Sequence, residues 1–252
     1  MRSIVPCLLA IIAASCLTTE SANVVAASRR TSGAEEPGPG LRALEVPGFQ
    51  PALLFSPAGV ASRPLVVAAH GAGGSAEWEC EYWRRLTQGR AFVLCLQGTP
   101  LGRTGAGYYY RDHLALNREF VAAERAARTA DPRILAVSGL YAGFSQGATM
   151  GAPNLAQHAA AFPYAVLIEG FAPWNVPGGR KFLGNGGRRI LIACGSKECA
   201  SVAKTSERWL RAAEVPVRVE YAAGTGHTPA GAVMELTAAA LPWLLEGDPH
   251  WQ

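Results

Sequence analysis

The chain is short of aspartate, with only Asp112, Asp131 and Asp248 among 252 residues. It also has no long basic run. The net charge of +4 comes from scattered residues, including the pairs Arg84-Arg85 and Arg188-Arg189. With no nucleic-acid motif beside them, these read as solvated surface, and nucleic acid is not an expected partner. No C-x-x-C motif and no histidine at ligand spacing accompanies the cysteines, so neither a metal site nor a cofactor is expected. No apolar stretch is long enough for a membrane helix, and there is no internal repeat.

What is present is apolar: 49% of the residues are hydrophobic and 17% charged. That composition and length suit one substantial core rather than two enzyme domains. Residues 1–26 read as an export signal, with Arg2 ahead of an apolar run over residues 4–14. Two endings compete. Ala13-Ala14-Ser15-Cys16 resembles a lipobox, with Ala where Leu is usual, and would leave Cys16 lipidated; Val24-Val25-Ala26 resembles an ordinary cleavage site. The expected location is periplasmic or extracellular, with a membrane reached only through such an anchor. Residues 27–43 are crowded with small residues, Gly and Pro, and read as a flexible linker to a single domain over residues 44–252. Once Cys7 and Cys16 are assigned to the signal, Cys80, Cys95, Cys194 and Cys199 remain. An exported domain with four cysteines suggests two disulfides, and the sequence-local pairing is Cys80 with Cys95 and Cys194 with Cys199.

From residue 44 onward, apolar runs alternate with helix-like segments. Residues 49–56 read as an edge strand interrupted by Pro51. Leu65-Val66-Val67-Ala68-Ala69 is a continuous apolar run, as expected for a strand buried on both faces of a parallel sheet. Ser75 reads as the N-cap of a helix to about residue 88, with Glu77 and Glu79 in its first turn. Further strands are expected over residues 91–96, 134–144, 164–168, 189–194 and 216–221. Helices are expected over residues 113–129, 148–161, 202–213 and 230–245, the second disturbed by Pro153 and the third carrying Trp209 and Leu210 on its apolar side. Residues 97–111 and 171–187 read as long loops. At least five strand–helix repeats argue for an α/β class, a doubly wound and mostly parallel sheet with helices on both faces.

Such a sheet binds ligands at the carboxyl ends of its strands. Gly143-Phe144-Ser145-Gln146-Gly147 lies where a strand turns into a helix and has the pattern of a nucleophile elbow, whose glycines are required because a Cβ there would strike the neighbouring strand or helix. His70-Gly71-Ala72-Gly73-Gly74, Glu198 and His227 also follow apolar runs. On these motifs the chain resembles the α/β-hydrolase superfamily over about residues 44–245, and its elbow and His70-Gly71 turn are similar to those of the small carboxylesterase, phospholipase and acyl-protein thioesterase branch. The resemblance implies Ser145 as nucleophile, His227 as general base, and the backbone N–H groups of Ala72 and Gln146 as the oxyanion hole. The order Ser, acid, His is the superfamily's.

The acid is the irregular member. The family most often places an Asp after the strand that here ends at Cys194, but Asp112 and Asp131 precede Ser145, and Asp248 lies beyond His227. Glu198 occupies the expected loop and is the first candidate; Glu169, just after the preceding strand, is the reserve. His70 is expected to make a structural hydrogen bond beneath the oxyanion loop, while His113, His158 and His250 read as surface or helix residues.

No insertion stands where many lipases carry a lid, so a shallow acyl site is expected. Tyr108, Tyr110 and Trp174 are candidates for binding the substrate, although loop aromatics more often pack on one another. A serine hydrolase that cleaves carboxylic esters or thioesters of small molecules through an acyl-enzyme is the first expectation, with a monomer expected. The rival is a hydrolase-fold binding protein whose machinery has drifted, with a peptidase as a distant third.

Overall fold

The computed structural model describes residues 40–102, 107–170 and 172–252. The expected signal at 1–26, including the lipobox at Cys16, and most of the expected linker lie outside them. Residues 40–43 do not: they open an edge strand, β1 (Gly40–Leu44), so the ordered fold begins earlier than residue 44. This strand pairs antiparallel with β2 (Ala52–Ser56), which therefore lies inside the sheet and not at its edge, with Pro51 just ahead of it where no ladder bond is lost.

The remaining elements follow in the expected alternation. They are β3 (Leu65–Ala69), α1 (Ala76–Leu86), β4 (Phe92–Leu96), a small hairpin of β5 (Thr99–Pro100) and β6 (Tyr108–Tyr109), α2 (His113–Ala130), β7 (Leu140–Phe144), α3 (Gln146–Gly151), α4 (Leu155–His158), β8 (Tyr164–Ile168), α5 (Val176–Gly184), β9 (Arg189–Cys194), α6 (Lys197–Ala212), β10 (Val217–Tyr221) and α7 (Ala232–Leu245). The main sheet has the order β1-β2-β4-β3-β7-β8-β9-β10. From β4 to β10 every neighbouring pair is parallel. Every residue of β3, β4 and β8 is buried, because helices cover both faces. One apolar layer gathers around Phe120, Phe162, Phe182 and Leu210, and the other around Trp83, Leu241 and Leu244.

Three local differences have physical causes. Ser75 has the extended backbone of an N-cap but makes no side-chain cap; the Gln97 side chain accepts the Ala76 N–H instead, at 3.2 Å. Residues 176–184 form a helix inside the segment expected to be loop. Asn175 caps it by accepting the Gly178 N–H at 2.8 Å, a proline stands in its first turn, and Phe182 is wholly buried. Helix α6 starts at Lys197 rather than near 202, since Ser196 accepts the Cys199 N–H at 3.2 Å as its N-cap. Trp209, expected on the apolar side of that helix, is exposed beneath the Arg208 guanidinium, while Leu210 is buried. Pro153 breaks the helix after the elbow as expected, leaving a 3₁₀ turn between α3 and α4.

Both expected disulfides form. Cys80 in α1 joins Cys95 in β4 with Cα atoms 5.6 Å apart, and Cys194 joins Cys199 with Cα atoms 5.5 Å apart. Among the described residues no helix is long and apolar enough to cross a membrane.

Candidate active site

Ser145 stands between β7 and α3 with φ of +51°, a left-handed conformation unusual for a side-chain-bearing residue. The turn is possible because of its glycines. A Cβ on Gly147 would sit 2.0 Å from the Ala69 carbonyl oxygen, and one on Gly143 would sit 2.6 Å from the Ala148 nitrogen. The Gly147 N–H donates to the His70 carbonyl at 3.1 Å, and the Tyr141 hydroxyl donates to the Gly147 carbonyl at 2.8 Å. Backbone strain at a residue held this firmly is a common mark of a functional position.

His227 lies in the loop after β10, and its Nε2 is 2.9 Å from the Ser145 Oγ. Its Nδ1 is 3.0 Å from Oε2 of Glu169, not Glu198. The structure thus places Glu169, and not the expected Glu198, against the imidazole. Glu198 points outward from the first turn of α6, exposed, because the Ser196 cap starts that helix early and turns the side chain away. Glu169 follows β8 directly, has φ of +53° and is fully buried. Its Oε1 accepts the N–H groups of Gly195 and of Ser196, the latter at 2.9 Å, and its Oε2 accepts the Ser196 hydroxyl at 2.6 Å. Four donors thus converge on this buried carboxyl. The loop after β9, where the acid was expected, supplies three of the donors that hold Glu169.

The loop after β3 is fixed from two sides. His70 is fully buried, with Nδ1 2.7 Å from the Gly71 carbonyl and Nε2 2.9 Å from the Gln97 carbonyl, the structural place expected of it. The Gly73 N–H donates to the Tyr108 carbonyl at 2.8 Å, and the Tyr108 N–H to the Gly74 carbonyl at 2.9 Å. The Gln146 side chain accepts the Tyr110 N–H at 2.7 Å, so the same hairpin also holds the elbow. The backbone N–H groups of Ala72 and of Gln146, the first residue of α3, have no hydrogen-bond partner among the described residues. Glu119 steadies the start of this loop by accepting the Gln97 and Gly98 N–H groups at 3.0 and 2.8 Å. Burial raises its carboxyl above the ordinary value, and the Gly98 and Gln97 amides oppose that rise.

The aromatic candidates divide. Tyr110 is buried, with its hydroxyl on the Leu96 carbonyl at 3.2 Å and its ring 4.9 Å from that of His70, so it packs under the loop rather than facing a substrate. Tyr108 is half-buried and serves through its backbone. Trp174 is buried against Phe182, and it edges a cleft of about 280 Å³ shared with Ala152, Pro153, Ala172 and Gly178. An exposed aromatic ring close to Phe144 comes instead from α1. The Trp78 ring, 41% exposed, lies 5.9 Å from Phe144, whose ring lies 5.4 Å from that of His227. Trp78 was not singled out from the sequence. The one available signal was its position three residues into a helix that follows the glycine-rich turn.

Chemically, the arrangement can accept a proton from the Ser145 hydroxyl at an imidazole held by a buried carboxyl. No metal-binding group of His, Cys, Asp or Glu occurs among the described residues.

No protein-family model matches the chain, and no curated protein does. Solved structures do. The chain is similar to a dienelactone hydrolase from Anabaena variabilis (15% identity, 84% of this chain and 98% of that one, TM-score 0.59). It is similar to a fluorophosphonate-binding serine hydrolase of Staphylococcus aureus (14% identity, 83% and 100%, TM-score 0.59). It also resembles an esterase from Pyrobaculum calidifontis (17% identity, 82% and 86%, TM-score 0.60). With this sheet order, elbow and set of structural neighbours, the chain has the α/β-hydrolase fold.

Proposed function

We propose that the protein is an exported serine hydrolase that cleaves carboxylic esters or thioesters through an acyl-enzyme on Ser145. The observation that carries this reading is the continuous chain from the Ser145 Oγ to His227 at 2.9 Å and from His227 to Glu169 at 3.0 Å, with the serine on a strained, glycine-flanked turn. A serine hydroxyl is a weak nucleophile until a positioned imidazole takes its proton, and the imidazolium that results needs a carboxylate on its other nitrogen. Glu169 fills that place. The binding-protein alternative rests on the irregular acid and on Pro153 in the helix after the elbow, and a glutamate seated on His227 weighs against the first of these.

In this reading Ser145 Oγ attacks the substrate carbonyl carbon while His227 Nε2 takes the hydroxyl proton. The carbonyl oxygen becomes an oxyanion facing the Ala72 and Gln146 N–H groups, each such donor contributing about 3 kcal/mol to the transition state. Collapse breaks the bond to the alcohol or thiol, which leaves with the proton from His227. Water then repeats the sequence on the acyl-enzyme, with His227 again as base, and releases the acid and free Ser145. No cofactor takes part. The named activities of the structural neighbours, a dienelactone hydrolase and an esterase among them, support a hydrolase acting on esters. The two disulfides support an oxidising, exported location.

The test is hydrolysis of a short p-nitrophenyl ester series by the wild type and by Ser145→Ala, with fluorophosphonate labelling alongside. Turnover and labelling that disappear in the variant are expected. A folded wild type with neither would favour a binding protein.

A further inference from the structure

Glu169 receives more hydrogen bonds than a triad acid needs to hold an imidazole. Two backbone N–H groups, from Gly195 and Ser196, take Oε1, which leaves Oε2 for the Ser196 hydroxyl at 2.6 Å and for His227 Nδ1 at 3.0 Å. We propose that Ser196 is a positioning residue for the Glu169–His227 pair, held in register by the short ring that Cys194 and Cys199 close. This rests on the reading of Ser145, His227 and Glu169 as the catalytic set.

The ring reaches the site from both ends. Cys194 is the last residue of β9, and its carbonyl accepts the Ala222 N–H at 2.8 Å, at the start of the loop that carries His227. Gly195 links the acid to the loop that carries the base: its N–H donates to Glu169 and its carbonyl accepts the Gly226 N–H at 3.2 Å. A Cβ on Gly195 would lie 2.3 Å from the Thr225 side chain, so glycine is what lets the two loops meet. Ser196 then donates to Glu169 while accepting the Cys199 N–H at 3.2 Å. Because the hydroxyl oxygen is already occupied as the cap of α6, its proton is directed to the carboxylate. The disulfide ties Cys199, the residue being capped, back to Cys194, at a sequence separation of only 5. A covalent ring that small allows the Gly195 and Ser196 N–H groups few positions. The other disulfide joins α1 to β4 and has no contact of this kind with the acid.

The two disulfides therefore have different roles, and a single set of full-length variants separates them. The variants are Ser196→Ala, Ser196→Thr, the double variant C194A/C199A, the double variant C80A/C95A, and Ser145→Ala. Each variant that keeps Ser145 is titrated to completion with a fluorophosphonate, so that kcat is expressed per active serine, and all are assayed on p-nitrophenyl butyrate. Ser196→Ala and C194A/C199A are expected to lose kcat on the order of 10- to 100-fold, the cost of a slightly misplaced catalytic group, with KM little changed. Ser196→Thr, which keeps the hydroxyl, should restore most of the rate. C80A/C95A should melt earlier yet keep its kcat per titrated serine, and adding dithiothreitol to it should then lower kcat reversibly through the remaining disulfide. That last measurement decides the matter even if C194A/C199A does not fold. Wild-type kcat in Ser196→Ala, or no response of C80A/C95A to dithiothreitol, would overturn the positioning role while leaving the triad intact. Turnover surviving in Ser145→Ala would overturn the triad reading itself.

Discussion

At the residue scale the site is defined by two side chains in left-handed backbone conformations, Ser145 and Glu169, each at the end of a parallel strand. In each case the turn places a polar group at the carboxyl edge of the sheet, where the backbone no longer competes for it. Exchanging Glu169 for Gln keeps the shape but removes the charge that orients and stabilises His227; replacing a triad carboxylate by its amide costs on the order of 10⁴ in kcat. Glu169→Gln should therefore lose most of its kcat, with Glu198→Gln within about twofold of the wild type as expected of an exposed substitution. The reverse pattern would restore Glu198. The serine and histidine were legible in the sequence because a G-x-S-x-G turn and a G-H turn carry their own local geometry. The acid was not, since both glutamates follow apolar strands and only the crossing of the loops after β8, β9 and β10 decides which one reaches the imidazole.

At the element scale the buried strands were the most legible parts. A parallel strand covered on both faces must be apolar throughout, as β3, β4 and β8 are. Helix α5 was hidden because Val176-Pro177-Gly178-Gly179 is poor helix composition; Asn175 as cap and the burial of Phe182 and Gly179 override it. β1 was hidden because four of its five residues are exposed, leaving no apolar pattern to read. The elbow shows how tightly neighbouring elements constrain one residue: β7, β3 and α3 meet at Gly147 with no space for a side chain. Gly147→Ala is expected to destabilise the fold by about 3 kcal/mol or more, read from the denaturant midpoint, because the colliding atom is backbone and cannot rotate away. A midpoint unchanged from the wild type would show that the α3–β3 approach can open.

At the scale of the whole molecule, one buried group makes stability depend on pH without serving the site. Glu79 lies inside the α1 layer with its Oε1 unpartnered; burial pushes its carboxyl from 4.5 to about 8, opposed in part by the Trp83 indole. Below pH 4.5 the group is protonated folded or unfolded and contributes nothing. As pH rises from there towards 8, the unfolded chain ionises while the folded one keeps its proton, so stability is lost at up to about 1.4 kcal/mol per pH unit. Glu79→Gln should remove that slope. Its melting temperature should exceed the wild type's by a margin that widens from pH 5 to pH 8, and parallel curves for the two proteins would show that Glu79 titrates near its ordinary value in the fold.

The sequence by itself determined the alternation of strands and helices, four cysteines enough for two disulfides, the serine on its glycine-flanked turn and the histidine that follows the last strand. These depend on residues close in the chain, whose spacing, bulk and periodicity act locally. Only the tertiary structure decided which carboxyl group meets His227, what the loop after β9 touches, and which exposed ring lies against Phe144. Each of these depends on contacts between segments 26 to 82 residues apart, as with Glu169 and Gly195 or Ser145 and His227. A contact of that range exists only once the sheet order has brought the strand ends together.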